Sequence, residues 1–150
     1  MITNVSHSTR PHVKTIPTTE NAQIIRTDFS DQMAWESLTA TVLQPPDPFI
    51  FNMEILDEPD RSGATVEQQL ATLPEDYPHS FLVVADSVAM SQPDHPMLVI
   101  DLMEERGRQF RAVAAQVPSI ENNLSIANMD FEEFADAVDE GGVFRGFPEM

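Results

Sequence analysis

From residue 23 onward, short apolar runs alternate with stretches in which apolar residues recur at helical spacing. The runs predict five β-strands, at Ile24–Thr27, Pro48–Leu56, Ser80–Ala85, Met97–Leu102 and Gln109–Ala114. The helical stripes predict four helices, over Asp31–Leu43, after Thr65, from Pro118 and after Asp130. The early order strand–helix–strand–helix–strand is typical of an α/β sandwich with a partly parallel sheet.

Polar residues mark the expected helix starts. Ser30 is the predicted N-cap of the first helix. Thr65 with Gln68, and Asp130 with Glu133, have the spacing of capping boxes, in which two side chains bond reciprocally to backbone N–H groups. These signals predict where three helices begin.

The direction of the fourth strand decides the type of sheet. Few residues separate Asp86 from Pro96, whereas a parallel crossover usually takes about a dozen or more. This favours an antiparallel fourth strand and a mixed sheet of about five strands, with helices packed on it, in one domain.

The first 22 residues differ in character from the rest. They are rich in Ser, Thr, Asn, His and Pro and have neither helical nor strand periodicity. This composition predicts a disordered N-terminal tail over residues 1–22 and a single α/β domain over residues 23–150.

Charge and composition exclude several classes of protein. The 150 residues include 8 Lys and Arg against 25 Asp and Glu, which gives a net charge of −17, and there is no cysteine. Sequence-independent binding to DNA or RNA is excluded because phosphates would be repelled, and disulfide frameworks and thiolate sites are excluded as well. No apolar run approaches the roughly 20 residues of a membrane span. We therefore expect a soluble, cytoplasmic protein.

Four aspartates follow or end predicted strands, namely Asp28, Asp57, Asp86 and Asp101. If the strands were parallel, these carboxylates would converge at one edge of the sheet and could bind a divalent metal ion. Aspartate is also a common turn and cap residue, and an antiparallel fourth strand would move Asp101 to the opposite edge. His79 and His95, which both precede strands, are a weaker candidate pair for a metal or a base.

The last predicted helix and its flanks carry the densest acidity, at Asp130, Glu132, Glu133, Asp136, Asp139 and Glu140. Asp139 and Glu140 lie where the helix dipole disfavours negative charge, so solubility or a basic partner is the remaining explanation. Just before this segment, Asn122, Asn123 and Asn128 form a polar cluster. These amides either line a ligand pocket or bond to backbone groups between two helices.

Several segments together resemble a known family. They are Arg26–Asp31 with Trp35-Glu36, His79–Asp86, and Glu121–Phe134 through Gly142–Phe147. The family comprises small acidic proteins, mainly actinobacterial and fungal, and is catalogued as a domain of unknown function. The resemblance covers residues 24–147. It implies a single intracellular domain that includes the C-terminal segment, and it implies no activity, cofactor or catalytic residue.

Two functions are consistent with the sequence. The first is a non-catalytic interaction module, inhibitor-like or immunity-like, whose acidic face binds a basic protein or peptide. The second is a small metal-dependent enzyme or ligand-binding protein that uses the carboxylates at the strand ends. The sequence favours the first, because the charge is certain whereas the geometry of a metal site depends on strand direction.

Overall fold

Six strands form one mixed sheet in the computed structural model, which describes residues 13–147. The strands are β1 (Gln23–Arg26), β2 (Glu54–Leu56), β3 (Phe81–Ala85), β4 (Met97–Asp101), β5 (Gln109–Ala112) and β6 (Val143–Phe144). The helices are α1 (Gln32–Val42), α2 (Val66–Ala71), α3 (Ser87–Ser91), α4 (Val117–Ser125) and α5 (Phe131–Ala135). The predicted mixed α/β fold in one small domain is confirmed.

The strand order is β2-β1-β3-β4-β5-β6. β1 pairs in parallel with β2 and β3, β4 is antiparallel to both β3 and β5, and β6 is parallel to β5. The fourth strand is therefore antiparallel. The connection between β3 and β4 contains only the short helix α3 and is too short for a parallel crossover.

Side-chain caps set the starts of four helices. Thr65 with Gln68 and Asp130 with Glu133 form the two predicted capping boxes at α2 and α5. The first helix is capped by Asp31 and not by Ser30, because the Asp31 carboxylate accepts from the Ala34 amide. No helix within residues 13–147 has the length and hydropathy that crossing a membrane requires.

Two apolar clusters cover the two faces of the sheet. On one face, the strand residues Ile24, Val83 and Val99 pack with residues of α1, α3, α4 and α5. On the other face, Leu82, Ile100 and their neighbours pack with residues of α2 and its flanks. The alternation of side chains along each buried strand explains why β3 and β4 read as continuous apolar runs.

The N-terminal segment, residues 13–22, packs against the second face, which differs from the predicted disordered tail. Ile16 is fully buried, and its amide donates to the Thr72 carbonyl at 2.8 Å. The buried Arg61 guanidinium donates to the carbonyls of Lys14 and Thr15 at 3.0 and 3.1 Å. A few apolar residues without periodicity in a polar stretch were too weak a signal to predict this contact. Residues 1–12 and 148–150 lie outside the described residues.

Candidate functional site

The structure divides the four strand-end aspartates between two edges of the sheet. Asp28, Asp57 and Asp86 follow the parallel strands β1, β2 and β3 and lie at one edge. Asp101 ends the antiparallel strand β4 and lies at the opposite edge. The four carboxylates therefore do not converge.

Each of the three aspartates at the first edge has a local partner. Asp57 accepts from the buried Arg26 at 3.3 Å. Asp86 caps α3 and accepts two bonds from Arg111, at 3.0 and 2.7 Å. The Asp28 carboxylate accepts from the amide and hydroxyl of Ser30. Across residues 13–147, no three His, Cys, Asp or Glu side chains are grouped as a metal ion would require.

The two candidate histidines are also separated. His79 precedes β3, and His95 precedes β4, which runs in the opposite direction. His95 is buried, with its ring nitrogens 2.9 Å from the Ala89 carbonyl and 3.0 Å from the Ser37 hydroxyl. The two imidazoles therefore cannot act as a pair.

A cleft of about 640 Å³ opens at the second edge, between the start of β3, the loop after β4 and the α4–α5 connection. We call it the acidic cleft. Its ionisable lining consists of Asp101, Glu104, Asp130, Glu133 and His79. Among residues 13–147, no lysine or arginine lines it. Its volume lies within the range of about 300–1,000 Å³ that is usual for binding sites.

Apolar side chains form much of the remaining wall of the acidic cleft. They are Phe81, Met103, Leu124, Met129 and Phe131. Phe81 and Phe131 are anchored in the core, whereas Met103 is 75% exposed. The acidic cleft thus combines an apolar surface with four carboxylates.

Backbone bonds fix three of the four carboxylates of this cleft. Asp101 is buried, and its two oxygens accept from the amides of Met103 and Glu105, both at 2.9 Å. These bonds shape the β4–β5 turn. Asp130 and Glu133 hold each other's backbone amides in the capping box of α5, and each uses one carboxylate oxygen to do so. Their second oxygens, and both oxygens of Glu104, accept no hydrogen bond from residues 13–147.

His79 is held by the N-terminal segment. Its Nε2 lies 2.8 Å from the Thr19 carbonyl, and the Tyr77 ring packs edge-on at 5.3 Å. Because a carbonyl only accepts, Nε2 carries the proton, and in the neutral ring Nδ1 is an acceptor. Burial raises the pKa of Tyr77 to about 12, so this ring stays neutral.

The predicted amide cluster contributes one residue to the acidic cleft. Asn128 lines it, and its side-chain nitrogen donates to the side-chain oxygen Oδ1 of Asn123 at 2.8 Å. Asn123 in turn donates to the Ser119 carbonyl, within α4. Asn122 is exposed and does not line the cleft. Asn123 therefore bonds to the backbone of α4 and to the α4–α5 connection and does not line the cleft.

The C-terminal acids have local roles that the sequence did not reveal. Helix α5 ends at Ala135, so Asp139 lies in the following turn and not at a helix end. Its carboxylate accepts from the amides of Gly141 and Val143 and from the Arg145 guanidinium. The expectation that local stability does not explain Asp139 is therefore wrong.

The other acids of this segment flank the acidic cleft or face a cation. Arg108 lies 3.7 Å from Glu132 and 3.5 Å from Asp136. Glu140 is exposed. The six acids therefore do not form one uniform face, since only Asp130 and Glu133 line the cleft.

The acidic cleft joins residues that the sequence placed in three separate sets. Asp101 belonged to the predicted metal ligands, Asn128 to the amides, and Asp130 and Glu133 to the interaction surface. Sequence reasoning missed Glu104 and the role of His79. The available signal was the short connection before β4, because an antiparallel strand delivers Asp101 to the edge where β3 begins.

Comparisons with known proteins identify a family. No curated protein matches the sequence. A family model, described as a domain of unknown function (DUF6924), matches residues 21–147. The predicted resemblance to a domain of unknown function is thereby confirmed, and its extent agrees closely with the match. Because the match spans most of the chain and nearly all of the described fold, the chain belongs to the DUF6924 family.

Proposed function

We propose that this domain is a non-catalytic module that binds a basic protein or peptide, with the acidic cleft at the centre of its binding face. The observation that carries the proposal is the lining of the cleft, to which the described part of the chain contributes four carboxylates and neither lysine nor arginine. A basic partner would neutralise this concentration of charge.

The surroundings of the cleft support a macromolecular partner. Glu105 and Glu132 lie beside it in an adjoining depression. The net charge of −17 attracts cationic partners over a longer distance and accelerates their association. The one arginine in that depression, Arg108, is shared among Glu105, Glu132 and Asp136 and leaves the excess negative.

Binding of a labelled basic peptide tests this function. The probe is a fluorescein-labelled peptide of alternating arginine, lysine and serine, and the readout is fluorescence anisotropy at several salt concentrations. The cleft triple variant replaces the three exposed acids of the cleft by amides: Glu104→Gln, Asp130→Asn and Glu133→Gln. The amide oxygens of Asn and Gln can still accept the two backbone bonds of the α5 capping box. The control triple variant makes the same chemical changes at exposed positions elsewhere: Glu36→Gln, Asp47→Asn and Glu67→Gln.

We expect salt to weaken the binding, since exposed charges are screened. The cleft triple variant should lose about tenfold in affinity, equivalent to about 1.4 kcal/mol, and the control triple variant less than about twofold. Equal losses in the two variants would show that only the net charge matters. Salt-insensitive binding would also overturn the proposal.

A further inference from the structure

We propose that the acidic cleft receives the side chain of a single arginine from the basic partner. This inference rests on the proposed function and specifies which chemical group occupies the cleft. It concerns the cleft alone and not the acidic surface as a whole.

The two kinds of lining match the two parts of an arginine side chain. Leu124 and Met129, which are partly exposed, offer apolar surface to the methylene groups. Glu104, Asp130 and Glu133 are exposed and therefore lie where solvent reaches the cleft. Together they offer four carboxylate oxygens that no donor in residues 13–147 occupies, which suits a guanidinium with five N–H donors.

The walls favour arginine over lysine. A guanidinium is planar, less strongly hydrated than an ammonium group and able to stack on aromatic rings. The chain holds its own arginines in this way, because the Arg26 guanidinium lies 4.3 Å from the Phe29 ring centre and 4.6 Å from that of Trp35. Phe81 and Phe131 also line the acidic cleft, but at 1% and 5% exposure they offer only a small aromatic contact, so the main reason for arginine is the match between its planar fork of donors and the free carboxylate oxygens.

The rim favours a side chain of a macromolecule over a free small cation. Met103, on the rim, is 75% exposed, and Ile126, between the lining residues Ser125 and Ala127, is 65% exposed. Exposed apolar side chains around a polar cleft provide the contact that surrounds an anchor residue at a protein interface. A free cation inside the cleft would leave both exposed.

Nuclear magnetic resonance tests this inference with a probe that carries one arginine side chain. The ¹⁵N-labelled protein is titrated with Nα-acetyl-argininamide at low salt. We expect saturable shifts confined to the backbone amides that border the cleft, such as Ser80, Met103, Glu104 and Asn128. The cleft triple variant should bind about tenfold more weakly, and the control triple variant should bind as the original protein does. Nα-acetyl-lysinamide should bind more weakly than the arginine probe.

The rim is tested separately. Ile126→Ser, which changes an exposed residue outside the cleft lining, should weaken binding of the labelled peptide severalfold and leave the affinity for Nα-acetyl-argininamide unchanged. Spermidine is the free-cation probe, and if it binds more tightly than the labelled peptide, the cleft is a site for small cations and the inference is wrong. Circular dichroism of each variant verifies that it is folded.

The two proposals can fail independently. If the labelled peptide binds with salt dependence and cleft dependence but the arginine probe shifts amides all over the surface, the arginine pocket is overturned and the binding module stands. If the peptide does not bind the original protein, the proposed function fails first. Equal affinity for the arginine and lysine probes would overturn the choice of arginine.

Discussion

Glu121 carries a carboxyl group that the fold has buried close to the acidic cleft. It is 4% exposed, and its carboxylate accepts from the Ser125 hydroxyl at 2.7 Å. Burial raises the pKa of this carboxyl above its ordinary value, and the Ser125 bond and the charge of His79 oppose that rise only partly. Keeping this group ionised in the folded protein therefore lowers its stability.

Glu121→Gln should raise the melting temperature at pH 7. The folded-state pKa exceeds the unfolded one, so the ionised group destabilises the fold as the pH rises above about 4.5, the ordinary value for glutamate. The amide keeps an acceptor for Ser125 and has no charge to bury. Thermal unfolding measured between pH 4 and 8 should show a gain that disappears at the acidic end. A difference that does not vary with pH would contradict this account.

Arg145 joins two acids that are distant in sequence. It pairs with Asp94 before β4 and with Asp139 in the turn before β6. Hydrogen bonds from its guanidinium hold the pKa of both carboxyls below the ordinary value. These contacts stabilise the folded protein at pH values above the ordinary pKa of an aspartate. The stabilisation is lost as the pH falls through the lowered pKa values of the two acids.

Arg145→Gln should raise the pKa of Asp94 and of Asp139 together. The carboxyl ¹³C resonances of the two residues, followed as a function of pH, measure this. Arg106→Gln is the matched control, because within residues 13–147 Arg106 donates only to the Leu70 carbonyl and pairs with neither acid. If both pKa values stayed where they are after Arg145→Gln, the backbone hydrogen bonds that each carboxylate accepts would be the cause instead.

At the scale of elements, the N-terminal segment depends on one buried cation. Arg61 is 2% exposed and satisfies the carbonyls of Lys14 and Thr15 as well as the Glu58 carboxylate. Buried donors that lose their partners are costly, and so are partners that lose their donors. This side chain therefore connects the segment to the turn between β2 and α2.

Arg61→Ala should destabilise the protein by about 2–4 kcal/mol, because it leaves two carbonyls and one carboxylate without their donor. Urea unfolding measures the loss, and faster exchange of the Ile16 amide shows that the segment detaches. Lys14→Ala is the control, since it removes only an exposed pair with Asp60 and keeps the carbonyl that Arg61 binds. Similar losses in the two variants would contradict the role given to Arg61.

The elements also show where prediction from sequence succeeds and where it stops. The apolar runs of β3 and β4 and both capping boxes are local signals, and the structure confirms them. The predicted strand at Pro48–Leu56 is reduced to Glu54–Leu56, because it lies at the edge of the sheet and pairs only with β1. The two-residue β6 is too short to give a periodic signal.

The acidic cleft could not be predicted as a unit, although most of its acids were singled out. Asp101, Asn128, Asp130 and Glu133 come together only through the reversed direction of β4 and the path of the chain after α4. Both are tertiary features. Glu104, exposed in a turn, has no local signal that distinguishes it from other surface glutamates.

At the scale of the whole molecule, repulsion among unpaired acids opposes folding. The chain has 25 Asp and Glu against 8 Lys and Arg, and only nine acids form ion pairs within residues 13–147, so most carboxylates of this part have no basic partner there. A compact state brings these charges closer together than the unfolded chain does. Salt should therefore stabilise this protein.

The melting temperature should rise by a few degrees when NaCl increases from about 10 mM to about 300 mM, as the screening length shortens. Differential scanning calorimetry at pH 7 measures the rise. The cleft and control triple variants combined in one chain remove six acids and should show a smaller rise. A melting temperature that falls with salt would mean that the native ion pairs outweigh the repulsion.

The bond between the Thr19 carbonyl and His79 has a consequence for how the chain may be shortened. The family match begins at residue 21, yet Thr19 and the buried Ile16 precede it. A chain that began at residue 21 would lose Ile16 and so uncover part of the second sheet face. It would also lose the Thr19 carbonyl that holds His79 in the acidic cleft. The folding unit is thus longer at its N-terminal end than the family match. Binding measured on a protein trimmed to that match would therefore describe an altered binding face.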